Sequence, residues 1–387
     1  MIKIVIDATP VEPKPSGVGL YVSNLIRSLN YLQEPNNFQL GIAYQPGFKN
    51  WLRGNLSFPN SLADYSNLCL LPIPVRVSNF LSLASPTIFQ SFFEPCLKYP
   101  NIIHGTNYSV YPCKKSRKIM NIYDLTFIKY PEYIDSVVEK YAKLVKQCLQ
   151  WTDIVITISE SSKKDIIEFL GVDHNRIYVT PLASRYYPDY ISDELATKLK
   201  LASSYDLSKP YLLFVSTIEP RKNIISLIEA FNILKTKYKI EHQLVLIGQK
   251  GWRYEQIFAA IEDSPWGSQV HHLNYLSDEL VALFYSKADA FVYPSYYEGF
   301  GLPVLEAMTL GAPVITSNSS SLPEVAGDAA LLVDPNDTKS LADAILKVIS
   351  DRQFRSQLIQ KGKERAKLFS WERTANETLN AYKCLMT

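Results

Sequence analysis

The chain has 387 residues, 47% of them hydrophobic and 20% charged, and a formal net charge of +2. That length is too great for one ordinary core and suits two domains of about 150 to 200 residues, with the composition of a soluble globular protein. No apolar stretch reaches the roughly 18 to 20 residues needed to cross a bilayer, since the longest, Gly301 to Ile315, is interrupted by Pro303, Glu306 and Pro313.

The chain opens on MIKIVID, a short strand that runs into Asp7 too early to be a signal peptide, so export is not expected. SGVGLY (Ser16 to Tyr21) follows and leads into a helix from Leu20 to Leu32; Gly17 and Gly19 taken alone read as a turn. Further strands are expected at Ile102 to His104, Ile119 to Ile122 and Ile154 to Ile158, with helices over Tyr133 to Gln150 and Ser161 to Leu170, the latter stopped by Gly171. His104 and Asp124 each stand at the end of a strand, where open α/β sheets bind ligands, although a buried core histidine and a turn-forming aspartate are the plainer readings.

The first half is the basic one, at about +5 for residues 1–185 against about −3 for the rest. Its cluster KKSRK (Lys114 to Lys118) and the apolar stretch Asn79 to Phe93 read either as a solvated loop with a core helix or as a rest for an anionic membrane surface. Neither has the basic residues interleaved with aromatics that nucleic-acid binding requires, so no nucleic-acid partner is expected. Five scattered cysteines without a C-x-x-C pair read as free thiols of a reducing cytoplasm. The adjacent His271 and His272 would face opposite sides of a strand, and no metal site is expected.

A polar segment, Pro188 to Pro210, separates the halves, and the second repeats the alternation with strands at Tyr211 to Val215, Gln243 to Ile247, Ala290 to Tyr293, Pro313 to Thr316 and Ala330 to Val333. Alternating strands and helices predict an α/β chain of two doubly wound, Rossmann-like domains, residues 1–185 and 186–370. Two segments of the second half carry chemistry. In STIEPRKN (Ser216 to Asn223), Arg221 and Lys222 precede a helix whose dipole already repels cations, a conflict that a bound diphosphate would resolve. In EGFGLPVLE (Glu298 to Glu306), a glycine turn opens a helix, Pro303 suits its first position, and Glu306 is expected in the first turn.

The Glu-to-Glu segment and EPRKN together resemble the signature of the retaining family 4, or group 1, glycosyltransferases, including bacterial mannosyl- and glucosyltransferases of polysaccharide biosynthesis, and the resemblance extends over most of the chain. It implies the GT-B fold, with the two domains facing across a cleft and residues 371–387 crossing back to the first domain. It implies that Glu298 touches the donor sugar and Glu306 the ribose, while Arg221, Lys222 and the turn of Phe300, Gly301 and Leu302 hold the diphosphate. By the same resemblance Gly17 and Gly19 line the cleft, His104 lies near a distal sugar hydroxyl, Asp124 near the acceptor, and backbone near Leu276 meets the base. Departures stand at Ser216, where the family usually has Gly, at Tyr123, where it often has His, and at PLAS (Pro181 to Ser184) in place of Pro-Asn-Gly-Val.

The expected activity is metal-independent, retaining transfer of a hexose from a nucleotide diphosphate sugar, with UDP-glucose preferred over GDP-mannose, to a glycan or lipid-linked acceptor. No cofactor is expected beyond that donor. The expected location is cytoplasmic, with peripheral contact at the inner membrane face left open. A nucleotide-sugar epimerase and a catalytically silent sugar-nucleotide-binding scaffold remain as alternatives.

Overall fold

The computed structural model describes residues 1–11, 17–131, 136–202 and 205–386. Ser16 and the first residues, 133–135, of the helix expected from Tyr133 lie outside them. The chain divides into two compact units, each built on one wholly parallel sheet. Among the described residues no helix is long and apolar enough to cross a membrane.

In the first unit the strands are β1 (Ile2–Asp7), β2 (Phe38–Tyr44), β3 (Leu68–Leu70), β4 (Ile102–Gly105), β5 (Arg117–Asn121), β6 (Ile154–Thr157) and β7 (Ile177–Val179), in spatial order β3-β2-β1-β4-β5-β6-β7. Order reverses between β1 and β4, which pair through Ile4 with Ile102 and Ile6 with His104. The apolar runs that mark these strands are buried because helices cover both faces of a parallel sheet. β2, β3 and β7 are absent from the sequence expectation. β2 carries Gly41 at its middle and Gln39 near its start, and the other two have only three residues each, too short for periodicity to register.

The last helix, Trp371–Cys384, belongs to this first unit although the residues 183–370 before it belong to the second. Thr374, Thr378, Leu379 and Tyr382 are its buried face, and it packs on the helix Gly17–Tyr31. Thr374 Oγ1 donates to the Pro181 carbonyl at 2.6 Å, and Trp371 lies 6.3 Å from the Tyr21 ring.

The second unit contains β8 (Tyr211–Val215), β9 (Gln243–Ile247), β10 (Val270–Leu273), β11 (Ala290–Tyr293), β12 (Val314–Ser317) and β13 (Ala330–Val333), ordered β10-β9-β8-β11-β12-β13. β10, reading VHHL, was hidden by its two histidines, which take opposite faces: His271 packs against Tyr205 and His272 against Phe258. The reversal of order falls between β8 and β11. Chains leaving those two neighbours turn to opposite faces of the sheet, which opens a crevice beyond their carboxyl ends. STIEPRKN leaves β8 and EGFGLPVLE follows β11, so both segments are delivered to that crevice.

Candidate functional site

After β8 the chain makes a short 3-10 turn, Pro220–Lys222, and enters the helix Ile224–Tyr238 through Asn223, which takes φ 57°. The Asn223 amide fixes this reversal by donating to the Pro335 carbonyl at 2.6 Å. After β11 the loop reaches Gly301, whose φ of 107° is open only to glycine, and the helix Leu302–Thr309 begins. A Cβ at Gly301 would stand 2.8 Å from Leu322 Cδ2, so the residue is required by space as well as by backbone.

These two turns bring Glu298 onto Arg221 and Lys222. Glu298 Oε1 accepts from Lys222 Nζ at 2.6 Å, from Ser295 Oγ at 2.6 Å and from Tyr293 OH at 2.9 Å, while Oε2 accepts from Arg221 Nη1 at 3.1 Å. Arg221 Nη2 also reaches Glu219 Oε1 at 2.7 Å. The Glu298 amide donates to Ser320 Oγ at 2.9 Å, and Ser321 Oγ donates to the carbonyls of Glu298 and Phe300, so the serines after β12 hold the loop from below.

Burial raises the Glu298 pKa, but Lys222, Arg221 and the Ser295 hydroxyl outweigh it and bring the carboxyl down to about 2. Burial lowers the Lys222 pKa, and Arg221 adds to that lowering against the pull of Glu298. The fit is that of an ionised pair held out of water at a cost, a form of site that suits an incoming anion able to take over the two cations.

Glu306 is buried, and Arg185 grips it with Nε to Oε1 at 2.6 Å while its Nη1 reaches Asp278 at 3.0 Å. Burial pushes the Glu306 carboxyl up, against Arg185. Because Gly301 caps the helix and Leu302 is its first residue, Glu306 lies in the second turn rather than the expected first, and Pro303 is the second residue rather than the first. Arg185 was missed by sequence reasoning. It directly follows PLAS, and its pairing depends on a partner 121 residues away.

Residues 198–365 match the family described as glycosyl transferases group 1. O-antigen chain mannosyltransferase B of Escherichia coli is 37% identical over 286 residues, covering 73% of this chain and 74% of that protein. The chain belongs to the group 1 glycosyltransferase family. Serotype-specific mannosyltransferase WbdA of Escherichia coli is 29% identical over 60% of this chain, which spans only 29% of that protein's length. Sucrose-phosphate synthase of Thermosynechococcus elongatus shares the fold, with a TM-score of 0.75 at 21% identity over 100% of this chain and 99% of that one. The glycosyltransferase therefore has the GT-B fold.

Elsewhere in this glycosyltransferase the expected residues are placed less uniformly. Phe300 is buried against Phe369 at 5.8 Å, so its ring serves packing and only its backbone is at the turn. Leu302 is half-buried at the helix start, and Leu276 is half-buried in the turn between β10 and the helix Asp278–Lys287, which Ser277 caps. In the first unit Gly17 is exposed and Gly19 buried, both within the opening turn of their helix, and a Cβ on Gly17 would meet nothing within 4 Å.

Asp124 is half-buried and accepts from the Thr126 amide at 3.0 Å, the turn-fixing role that a short acid before a helix often takes. His104 is fully buried. Its Nδ1 faces Tyr382 OH at 2.7 Å and its Nε2 faces Asn121 Oδ1 at 2.5 Å, and burial lowers its pKa to about 4 despite Asn121. The expectation that His104 points to a sugar is corrected by this placement: a ring with both nitrogens engaged and no exposed surface ties the last helix to the sheet. Among the described residues no group of three His, Cys, Asp or Glu is gathered as a metal site.

Proposed function

We propose that this glycosyltransferase moves a mannosyl group, with retention, from a nucleotide diphosphate sugar to a glycan or lipid-linked acceptor in polysaccharide biosynthesis. One observation carries the donor site: Glu298, Arg221 and Lys222 meet within 3.1 Å at the carboxyl ends of the two strands where sheet order reverses. Glycosyl transfer builds negative charge on the leaving diphosphate and positive charge on the sugar. Arg221, Lys222 and the amides of Gly301 and Leu302 would hold the first, with no metal or further cofactor, and Glu298 would steady the second. In this reading the acceptor attacks from the face the diphosphate leaves, and the diphosphate takes the acceptor's proton. Glu306 holds the ribose, with Arg185 orienting it.

Mannose is preferred to the glucose expected from the sequence because the curated relatives above are named mannosyltransferases. GDP-mannose is the activated form that this implies. A screen of guanosine, uridine and adenosine diphosphate sugars, with and without a chelator, tests the reading by binding and slow donor hydrolysis. Turnover of GDP-mannose in chelator is the expected result; turnover of another donor alone, or of none without added metal, overturns the corresponding part.

The proposed location is the cytoplasmic membrane face. Phe80 and Phe92, 68% and 69% exposed in the first unit, support peripheral contact. Sedimentation with phosphatidylglycerol vesicles but not phosphatidylcholine vesicles is the expected result.

A further inference from the structure

One helix brings two groups to the surroundings of Glu306, and only one of them is engaged. The helix Asp278–Lys287 carries Asp278 at its first position and Tyr285 about two turns later, on the same face. Arg185 joins Asp278 to Glu306, through Nη1 at 3.0 Å and through Nε to Oε1 at 2.6 Å. Tyr285 is fully buried, its ring 5.2 Å from that of Phe291 and 6.3 Å from that of Tyr186, which itself lies 5.4 Å from Arg185 Cζ. The Tyr285 hydroxyl is buried as well, and it makes no hydrogen bond among the described residues.

A buried hydroxyl left unpaired is destabilising, and native chains keep few of them. The acceptor beside this one is Glu306. Burial raises the Tyr285 pKa first, and the Glu306 charge is the next largest push in the same direction; Tyr285 in turn is among the groups that pull the Glu306 carboxyl down. Glu306 also has an acceptor to spare. Its Oε2 is reached by Arg185 Nη2 only at 3.5 Å, the outer limit of a hydrogen bond, although an ionised carboxylate offers about four acceptor sites. Burial still raises the Glu306 pKa against Arg185, so the donors this chain engages leave its charged form under-supplied.

We propose that Tyr285 is a positioning residue for the nucleotide's ribose: as the vicinal diol donates to Glu306, the Tyr285 hydroxyl donates to Oε2 and fixes the plane of the carboxylate. The proposal rests on the reading of Glu306 as the residue that holds the ribose. Packing between Phe291 and Tyr186 holds the tyrosine ring, so the movement belongs to Glu306, whose last torsion is broad. Arg185 keeps Oε1 throughout. The ribose, by displacing water from the carboxylate, makes the second internal donor worth more than it is without nucleotide.

The test is calorimetric titration of the full chain and of its Tyr285→Phe variant with GDP and UDP, each beside its 2′,3′-dideoxy analogue. Phenylalanine keeps the ring and removes only the oxygen. Tyr285→Phe should bind the ribonucleotide about tenfold more weakly and the dideoxy analogue with unchanged affinity. The KM for the donor should rise by a similar factor, with kcat changed by less than about twofold. Without nucleotide the thermal midpoint should stay the same or rise, because the oxygen removed had no partner. A lowered midpoint means that the hydroxyl is already bonded in the nucleotide-free chain, and overturns the proposal. So does an equal loss, or no loss, for ribonucleotide and dideoxy analogue in a variant of a chain that itself prefers the ribonucleotide, an outcome that leaves Glu306 at the ribose. A native chain that binds ribonucleotide and dideoxy analogue equally removes the ribose reading of Glu306, and the proposal falls with it.

Discussion

Lys222 Nζ lies 2.6 Å from Glu298 Oε1, with only 6% and 10% of the two side chains exposed. Breaking a buried pair by deleting one partner costs about 3 to 5 kcal/mol because the other charge is left uncompensated. Glu298→Ala should therefore lower stability as well as abolish transfer. Glu298→Gln keeps the size and an oxygen for Ser295, and should lower transfer by about a hundredfold or more, the scale of losing one preorganised electrostatic contact. Nucleotide diphosphate should bind the Gln variant at least as tightly as the native chain, since Arg221 and Lys222 lose their internal competitor. Titration and single-turnover assays check the two halves; unchanged transfer would sink the sugar-facing role.

Arg185 is the second test, because it joins Glu306 and Asp278 through separate nitrogens. If Glu306 holds the ribose, its orientation depends on that grip. Arg185→Ala should weaken nucleotide binding by about tenfold, and Arg185→Lys should recover little of it, since a point charge cannot copy the planar fork. Because the effect acts through positioning, the expected signature is a raised KM for the donor with a smaller change in kcat. Full recovery by lysine would mean that charge alone matters.

Gly301 and Gly17 make an internal contrast. Gly301→Ala meets both a φ of 107° and a Leu322 methyl at 2.8 Å, and should cost about 2 kcal/mol together with donor affinity. Gly17→Ala meets open space at the start of a helix and should change the thermal midpoint by less than about 2 °C. Equal effects from the two would refute the close-approach argument.

β8, β9, β11 and β13 could be read to the residue because each is an apolar run with clear punctuation on both sides. That Arg221, Lys222 and Glu298 stand at strand ends was legible for a related reason: each of the two segments follows such a strand, so local signals alone place them there. What stayed hidden depends on distant partners. The ring of His104 is covered by Tyr382, 278 residues later, and no property of the strand IIHG says which helix will return over it. Arg185 was hidden in the same way by its separation from Glu306. The serines 319–321 that brace the glycine loop read only as a polar turn until β12 brings them beneath it.

The burial of His104 and the pairing of Glu298 predict two separate acid windows. His104 falls from its ordinary 6.5 to about 4 in the folded chain, so between those values the unfolded chain binds the extra proton. The stability that His104 contributes therefore rises with pH across that window, and acidification from pH 6.5 to 4 removes roughly 3 kcal/mol of it. Glu298, depressed from 4.5 to about 2, contributes stability that is present above 4.5 and lost as pH falls toward 2. Asp7 and Glu306, raised by burial from 3.8 and 4.5, hold an extra proton in the folded chain only above those values, so they oppose His104 in the upper window and leave the lower window to Glu298. His271, also lowered first by burial, acts in the same sense as His104. The His104 contribution alone corresponds to about 6 to 10 °C of midpoint between pH 7 and 4.5, read as the difference in pH dependence between the native chain and a His104 variant. His104→Gln should start from a lower midpoint, because the contacts to Tyr382 and Asn121 are imperfectly replaced, yet show a markedly flatter loss over the same range. A slope identical to that of the native chain would mean that His104 is accessible to protons in the folded state, and with it that the last helix does not stay closed over the sheet.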